Sequence, residues 1–167
     1  MNIQLELYNQ EKEIAIQLIT RFWYAHNHEQ VSKEDANDNL VEWTKDGHKL
    51  YFIKKDNQFV GFVHLGSRGC AIDWLEDIYV IEEYQRQGIG TYAIQLVEEI
   101  VKEYSDCLYI EAAARNYQAI RLYQKIGYNC LNTITIRKDF HPEKCEVTHK
   151  EMIHNLEFVI KQEKNDL

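Results

Sequence analysis

Apolar side chains recur along the first 25 positions in two different rhythms. From Gln4 to Tyr8 they alternate with polar ones, the period of a strand; from Glu11 to Ala25, Ile14, Leu18, Ile19 and Phe22 fall on one helical stripe. Ser32 is a good N-cap for a second helix running through Trp43, with Asp35 three positions on supplying an acid to its first turn. Leu50 to Ile53 and Phe59 to Leu65 flank the turn-rich Lys54-Lys55-Asp56-Asn57-Gln58, which predicts a hairpin. Alternation is poor in the second of these runs, as expected of a strand covered on both faces. A strand over Ala71 to Ile81, a helix from Gly88 to about Lys102, a strand from Cys107 to Ala112, a helix from Tyr117 to Lys125 and a strand from Tyr128 to Arg137 follow. Beyond His141 the pattern is less regular. Val147, Met152, Ile153, Leu156 and Ile160 allow a helix, while Leu156 to Ile160 would also serve as a strand. The expectation there is a short helix around Glu143 to Met152 followed by that strand. No internal repeat, linker or low-complexity stretch interrupts the chain, so a single domain over residues 1–167 is expected.

The segment Val80-Ile81-Glu82-Glu83-Tyr84-Gln85-Arg86-Gln87-Gly88-Ile89-Gly90 reads as a strand end, a glycine-bearing loop and a helix start. Such a loop aims several backbone N–H groups and the positive end of the helix dipole at one point, which suits the phosphates of a nucleotide-type cofactor. Gly88 and Gly90 let the backbone come close to a ligand, and Arg86 adds a positive charge. Glycines before a helix often mark only a turn, so this segment is weak evidence by itself.

A second segment strengthens it. Asn116-Tyr117-Gln118-Ala119-Ile120-Arg121-Leu122-Tyr123-Gln124-Lys125-Ile126-Gly127-Tyr128 follows the short apolar run Leu108-Tyr109-Ile110. Together the two resemble the GNAT superfamily of acetyl-CoA-dependent N-acyltransferases. Gln85, Gly88 and Gly90 match its Q/R-x-x-G-x-G/A pyrophosphate motif. Asn116, Ala119, Leu122, Tyr123, Gly127 and Tyr128 match its N-x-x-A-x-x-L-Y-x-x-x-G-F/Y motif, in family order and with room for one helix and one strand between. The resemblance covers about Leu50 to Arg137 well and the two ends poorly.

The resemblance implies an α/β fold: one mixed, largely antiparallel central sheet of about six to seven strands flanked by helices on both faces. It implies acetyl-CoA as cofactor, with the pantetheine arm paired along Ile78, Tyr79 and Val80. The pyrophosphate would lie on the loop Gln85, Arg86, Gln87, Gly88, Ile89, Gly90 and Thr91. Tyr123 corresponds to the general acid that donates to the departing sulfur, with a core aromatic as the alternative, and Asn116 is expected near the pantetheine arm or a bound water, a place compatible with capping the helix. An alkylamine with a pKa near ~10 is mostly protonated at neutral pH, so a base is needed. Glu111, at the end of its strand, is the first candidate, with a role in orienting the loop as the alternative. Glu76 and Asp77 are further candidates, and strand alternation places them on opposite faces unless a bulge intervenes. Asp73 is another by position, though a solvated strand end explains it as well. In similar proteins the first two helices shape the acceptor pocket; here that region is Phe22-Trp23-Tyr24-Ala25-His26-Asn27-His28-Glu29, and core packing accounts for at least two of its aromatics.

A formal charge of −8 argues against a nucleic-acid partner, since no Lys/Arg cluster exceeds a pair such as Lys54-Lys55. It leans toward a cationic small-molecule amine as acceptor, although acidity also simply aids solubility. An aminoglycoside-like antibiotic, a protein amino terminus or a lysine would serve as acceptor too. No apolar run approaches the ~20 residues that span a bilayer, and the amino terminus lacks the features of a secretory signal, so a cytoplasmic protein without a membrane partner is expected. Cys70, Cys107, Cys130 and Cys145 are widely spaced without a C-x-x-C pair. Three of them lie in apolar strand-like segments and read as buried thiols. His26 and His28 would not share a helical face, and Cys145 with His149 lacks further ligands, so no metal is expected. Many members of the superfamily dimerise, which leaves a homodimer open.

Two other readings compete. Gly88-Ile89-Gly90-Thr91-Tyr92-Ala93 formally fits a dinucleotide fingerprint, with Glu111 placed for a ribose some ~20 residues on. However, the six residues 82–87 separate Ile81 from Gly88, and the chain offers no second βαβαβ half. An acetyl-CoA-binding regulatory module without catalysis is the other; loss of Tyr123 or of every nearby acid would favour it, and both are present.

Overall fold

The computed structural model describes residues 2–28, 30–69 and 71–164. Glu29 and Cys70 lie outside them, so the expectations attached to these two residues are not addressed by the structure. The described chain forms two compact units, Met1–Glu111 and Ala112–Leu167.

In the first unit the two opening rhythms become β1 (Ile3–Leu7) and α1 (Lys12–Asn27). A capping box starts α2 (Lys33–Thr44): the Ser32 hydroxyl accepts from the Asp35 N–H, and the Asp35 carboxylate accepts from the Ser32 N–H. β2 (His48–Lys55) and β3 (Gln58–Gly66) form the expected hairpin. Asp56 and Asn57 both take left-handed backbone angles at its tip, φ +48° and +69°, a conformation that short polar side chains tolerate better than most. β4 (Trp74–Val80), α3 (Ile89–Val101) and β5 (Tyr109–Ile110) complete the unit.

The strands form one sheet in the order β1-β2-β3-β4-β5, antiparallel throughout except for the parallel pair β4 and β5. Alternation sends Leu50, Phe52, Phe62 and Tyr79 to one face, where they pack with Leu18, Ile19 and Phe22 of α1 and Leu40 and Trp43 of α2. The intervening Tyr51, Ile53 and Val63 turn to the opposite face and are buried as well. There α3 packs against β1 and β4 with Ile89, Ala93, Ile94, Val97 and Val101 buried. Burial on both faces is why β3 shows almost no alternation in its sequence. The mostly antiparallel order also differs from the doubly wound parallel sheet that a dinucleotide-binding reading requires.

The second unit contains α4 (Tyr117–Lys125), a 3₁₀ turn (Pro142–Lys144) and a separate two-stranded sheet of β6 (Cys145–Ile153) and β7 (Leu156–Glu163). The mixed α/β class holds, with the seven strands divided five and two rather than gathered in one sheet. The helix expected around Glu143 to Met152 does not form. Instead, residues from Cys145 to Ile153 pair with β7, and left-handed His154 and Asn155 close the turn. Cross-strand pairing satisfies backbone groups that a short, weakly amphipathic helix would leave marginal. Leu156 to Ile160 is a strand, as expected. The predicted strand from Tyr128 to Arg137 is neither helix nor strand, since β6 and β7 pair with each other and no strand among the described residues pairs with it. Leu131 and Ile136 in it are exposed. The expected strand Cys107 to Ala112 shortens to Tyr109–Ile110. The thiols expected to be buried are not: Cys107 and Cys130 are exposed and Cys145 is half-buried, since none of their segments becomes a covered strand. No helix among the described residues is long and apolar enough to cross a membrane.

Candidate functional site

Two rungs, Trp74 with Tyr109 and Leu75 with Ile110, are all that join β4 to β5. β4 continues to Val80 without a strand on that side among the described residues, so the edge from Glu76 to Val80 keeps backbone groups available to a ligand. Tyr79 turns its backbone toward β3, which leaves the groups of Ile78 and Val80 on the open edge. Its ring is in the core, its hydroxyl donates to Glu82 at 2.9 Å, and burial together with that bond pushes the phenol up to about 12. Close pairing with β3 depends on Gly61, where a Cβ would stand 2.0 Å from the Tyr79 carbonyl oxygen.

After Val80 the chain makes a 3₁₀ turn (Glu82–Tyr84), and the Gln85 side-chain amide donates back to the Val80 carbonyl at 2.7 Å. Arg86 and Gly88 adopt left-handed angles, φ +58° and +79°. The first helical bond of α3 runs from the Tyr92 N–H to the Gly88 carbonyl, so the N–H groups of Ile89, Gly90 and Thr91 lie at the free helix end. A Cβ on Gly88 would meet no atom within 4 Å, and one on Gly90 would meet only Val80 Cγ2 at 3.9 Å. Arg86 and Gln85 are exposed beside this open space. Such an arrangement fits a pyrophosphate. Gln87 is braced instead: it accepts from Lys55 at 2.9 Å and donates to the Glu83 carbonyl at 3.1 Å.

The acids on β4 sit on a bulge. His64 pairs with Asp77 but Leu65 with Leu75, which leaves Glu76 as the extra residue. As a result Asp77 and Glu76 both turn toward the α1 and α2 face, correcting the alternation expected for them. Asp77 bonds His64 on that face, and the Glu76 carboxylate lies 2.9 Å from where a Gly66 Cβ would stand. Arg68, in the loop after β3, donates through Nε and a terminal nitrogen to Glu76 at 3.2 and 2.8 Å, and through the other terminal nitrogen to Glu111 at 2.6 Å. Glu76 and Glu111 are therefore brought together, and Asp77 has a different set of partners. Asp73 accepts from the Ser105 hydroxyl, and its carbonyl accepts from the Tyr109 N–H, so it anchors the start of β5.

Asp77 ends a chain of three hydrogen-bonded side chains. His64 Nδ1 lies 2.8 Å from Asp77, and His64 Nε2 lies 2.9 Å from His48 Nδ1. A carboxylate only accepts, so His64 carries hydrogen on Nδ1, and its Nε2 shares a second hydrogen bond with His48 Nδ1. His64 is 3% exposed and its ring stacks on Trp43 at 4.7 Å. Burial, then the neighbouring His64 and Lys45, hold His48 below its ordinary value.

In the second unit Asn116 caps α4, its side-chain oxygen accepting from the Ala119 N–H at 3.2 Å. Tyr123 is half-buried, and burial raises its phenol above the ordinary value. Its ring meets Tyr128 edge-on at 6.2 Å, so the two tyrosines of this segment pack together.

Of the aromatic run on α1, Phe22 and Trp23 serve the core, Trp23 also donating to Asn39 at 2.6 Å. Tyr24, with Thr20, Arg21, Gln30, Val31 and Glu82, lines a cavity of about 610 Å³ beside the end of β4. Arg21 bridges Glu82 and Glu83 at 2.7 and 2.8 Å. Arg68, His48 and His64 were absent from the sequence reading. His64 carried a signal there, as one polar residue inside the apolar run Phe62 to Leu65; Arg68 carried none.

A sheet that opens beside a left-handed, glycine-bearing loop at a helix N-terminus defines an acyl-CoA-type binding fold. The family model described as Acetyltransferase (GNAT) family matches residues 13–128, and the chain belongs to that family. It is 38% identical over 69 residues to the ribosomal protein bS18-alanine N-acetyltransferase of Escherichia coli strain K12, covering 41% of this chain and 45% of that protein. It is 30% identical over 76 residues to the spermine/spermidine N(1)-acetyltransferase of Bacillus subtilis strain 168, covering 44% and 47%. The matches thus span less than half the length of these curated relatives. Among solved structures, AAC(6')-Iy in complex with the bisubstrate analog CoA-S-monomethyl-acetylneamine shares the fold at a TM-score of 0.60, with 16% identity over 83% of this chain and 99% of that one.

Proposed function

We propose that the chain transfers an acetyl group from acetyl-CoA to a primary amine, directly and within a ternary complex. The observation that carries this reading is the opening of β4 from β5 beside the loop that leads into α3, with Glu76 and Glu111 standing where the strands part. Bound acetyl-CoA would supply the activated thioester. The stretch Ile78, Tyr79 and Val80 would hold its arm, Ile78 and Val80 through backbone groups and Tyr79 by tying the strand to β3, while Gln85, Arg86, Gln87, Gly88, Ile89, Gly90 and Thr91 would hold the pyrophosphate. Among these, Ile89 is buried and offers only its N–H, and the Gln87 side chain supports the loop.

The residues then divide the proton work. Glu111, directly or through water, takes the proton of the incoming ammonium, and Tyr123 supplies one to the departing thiolate sulfur. Glu76 shares the counter-charge of Arg68 with Glu111, and Asp77 is a second acidic candidate through its histidine chain. Asn116 supports α4, which carries Tyr123. The family model extends past Glu111 to residue 128, taking in α4 with Tyr123. A cytoplasmic location fits the absence of a membrane-crossing helix among the described residues.

For the acceptor, the net charge of −8 and the carboxylates at the opening favour a cationic small-molecule amine. A protein amino terminus is the second reading, favoured by the similarity to an enzyme named for a ribosomal-protein alanine. Calorimetric titration with acetyl-CoA, using NAD as control, tests the cofactor. Free-thiol release in the presence of spermidine or of a peptide with amino-terminal alanine then separates the acceptors. Acetyl-CoA binding without thiol release from any amine would support the regulatory module, and binding of NAD alone would overturn the proposal.

A further inference from the structure

Beyond the last rung between β4 and β5, parallel register would next set Glu76 opposite Glu111. These are the two residues that Arg68 joins. Its guanidinium reaches Glu76 through two nitrogens and Glu111 through the third, linking the two side chains where the next rung would fall. The guanidinium carbon also lies 3.8 Å above the centre of the Trp74 ring, and Trp74 stacks on Tyr109 at 4.9 Å and 15°. Arg68 is therefore stacked on Trp74, in the rung it forms with Tyr109, and forked across the point where the strands part.

We propose that Arg68 is a positioning residue that pins the two strands where they part and aims the Glu111 carboxylate into the opening. An exposed ion pair contributes only about 0–1 kcal/mol, and Arg68 and Glu111 are 42% and 61% exposed at their side chains. The fork geometry and the stacking on Trp74 make the arrangement specific. Global stability therefore depends little on Arg68, while the local geometry of β5 depends on it strongly. β5 has only two paired residues, so one lost tether opens it readily. The catalytic part of the inference rests on the acetyl-transfer reading given above; the pinning of the strands does not.

The test compares wild type with Arg68→Ala and Arg68→Lys. Hydrogen exchange at the amides of residues 109–111 should accelerate at least about tenfold in Arg68→Ala, with β2 and β3 unchanged and the melting temperature within ~3 °C. Exchange within twofold of wild type would overturn the pin. In thiol-release assays Arg68→Ala should lose at least about tenfold in kcat while acetyl-CoA affinity stays within threefold, and millimolar methylguanidine should restore part of the rate. Lysine should rescue poorly, since it cannot fork between two carboxylates. A kcat within threefold of wild type, or a loss that guanidinium does not restore, would overturn the aiming of Glu111. If wild type releases no thiol with any amine, the acetyl-transfer reading fails, and the exchange result still decides the pin.

Discussion

Individual side chains at this site are defined by what holds them. Tyr123 sits half-buried on a short helix whose cap is Asn116, and burial keeps its phenol protonated, as the proposed donor to the thiolate must be. Tyr123→Phe should lower kcat by at least about a hundredfold while calorimetry finds acetyl-CoA affinity nearly unchanged. An unchanged kcat would remove Tyr123 from the mechanism. Glu111→Gln keeps the Arg68 contact geometry but loses the basic oxygen. Its kcat/KM should fall by a similar factor with a changed pH–rate profile, and an unaltered profile would assign Glu111 to loop orientation alone. The bulge at Glu76 could not be read from the run Trp74 to Val80. Whether an extra residue is squeezed between two strands depends on the partner strand, and neither Gly66 nor His64 announces it.

At the scale of elements, β4 has a different requirement on each edge. Toward β3 it must pack tightly, and Gly61 makes this possible because any Cβ would collide with the Tyr79 carbonyl oxygen and approach Val80 Cα at 3.0 Å. Gly61→Ala should cost on the order of 3 kcal/mol and lower the melting temperature by roughly 6–12 °C. Because the displaced backbone is the stretch Ile78 to Val80, acetyl-CoA binding should weaken in the same variant. Toward β5 the strand must stay open, and only two rungs form. Helix starts are more forgiving. Ser32→Ala removes one half of the α2 capping box and should cost about 1 kcal/mol in chemical denaturation, with no effect on cofactor affinity.

For the molecule as a whole, pH enters through His48. Its native pKa is depressed below the ordinary 6.5 by burial first and then by His64 and Lys45. The unfolded chain therefore binds a proton that the native state resists as pH falls below about 6.5. The contribution of His48 to stability is complete above that value and is lost as pH drops through the native one, with a slope of at most ~1.4 kcal/mol per pH unit. Calorimetric melting between about pH 7 and pH 5 should show this decline, and His48→Gln should flatten it. Ligand linkage acts on the same scale. Acetyl-CoA at a hundred times its dissociation constant should stabilise the protein by about 2.7 kcal/mol, read as a rise of several degrees that NAD does not produce.

The sequence by itself determined whatever depends on spacing along the chain. The helical stripe of α1, the capped start of α2, the Asp56-Asn57 hairpin and the two family motifs are local patterns, and the structure contains each of them. Segments whose state depends on a distant partner were settled only by tertiary structure. Residues 145–153 are a strand because β7 lies opposite them, and residues 128–137 are not, because no strand among the described residues pairs with them. The same holds for chemistry. Gly88 and Tyr123 were legible because they sit in motifs, whereas Arg68 joins two carboxylates that are eight and 43 residues away. Backbone hydrogen bonds and charge pairs between strands are satisfied by proximity in space, and a sequence records that proximity only where it is also proximity along the chain.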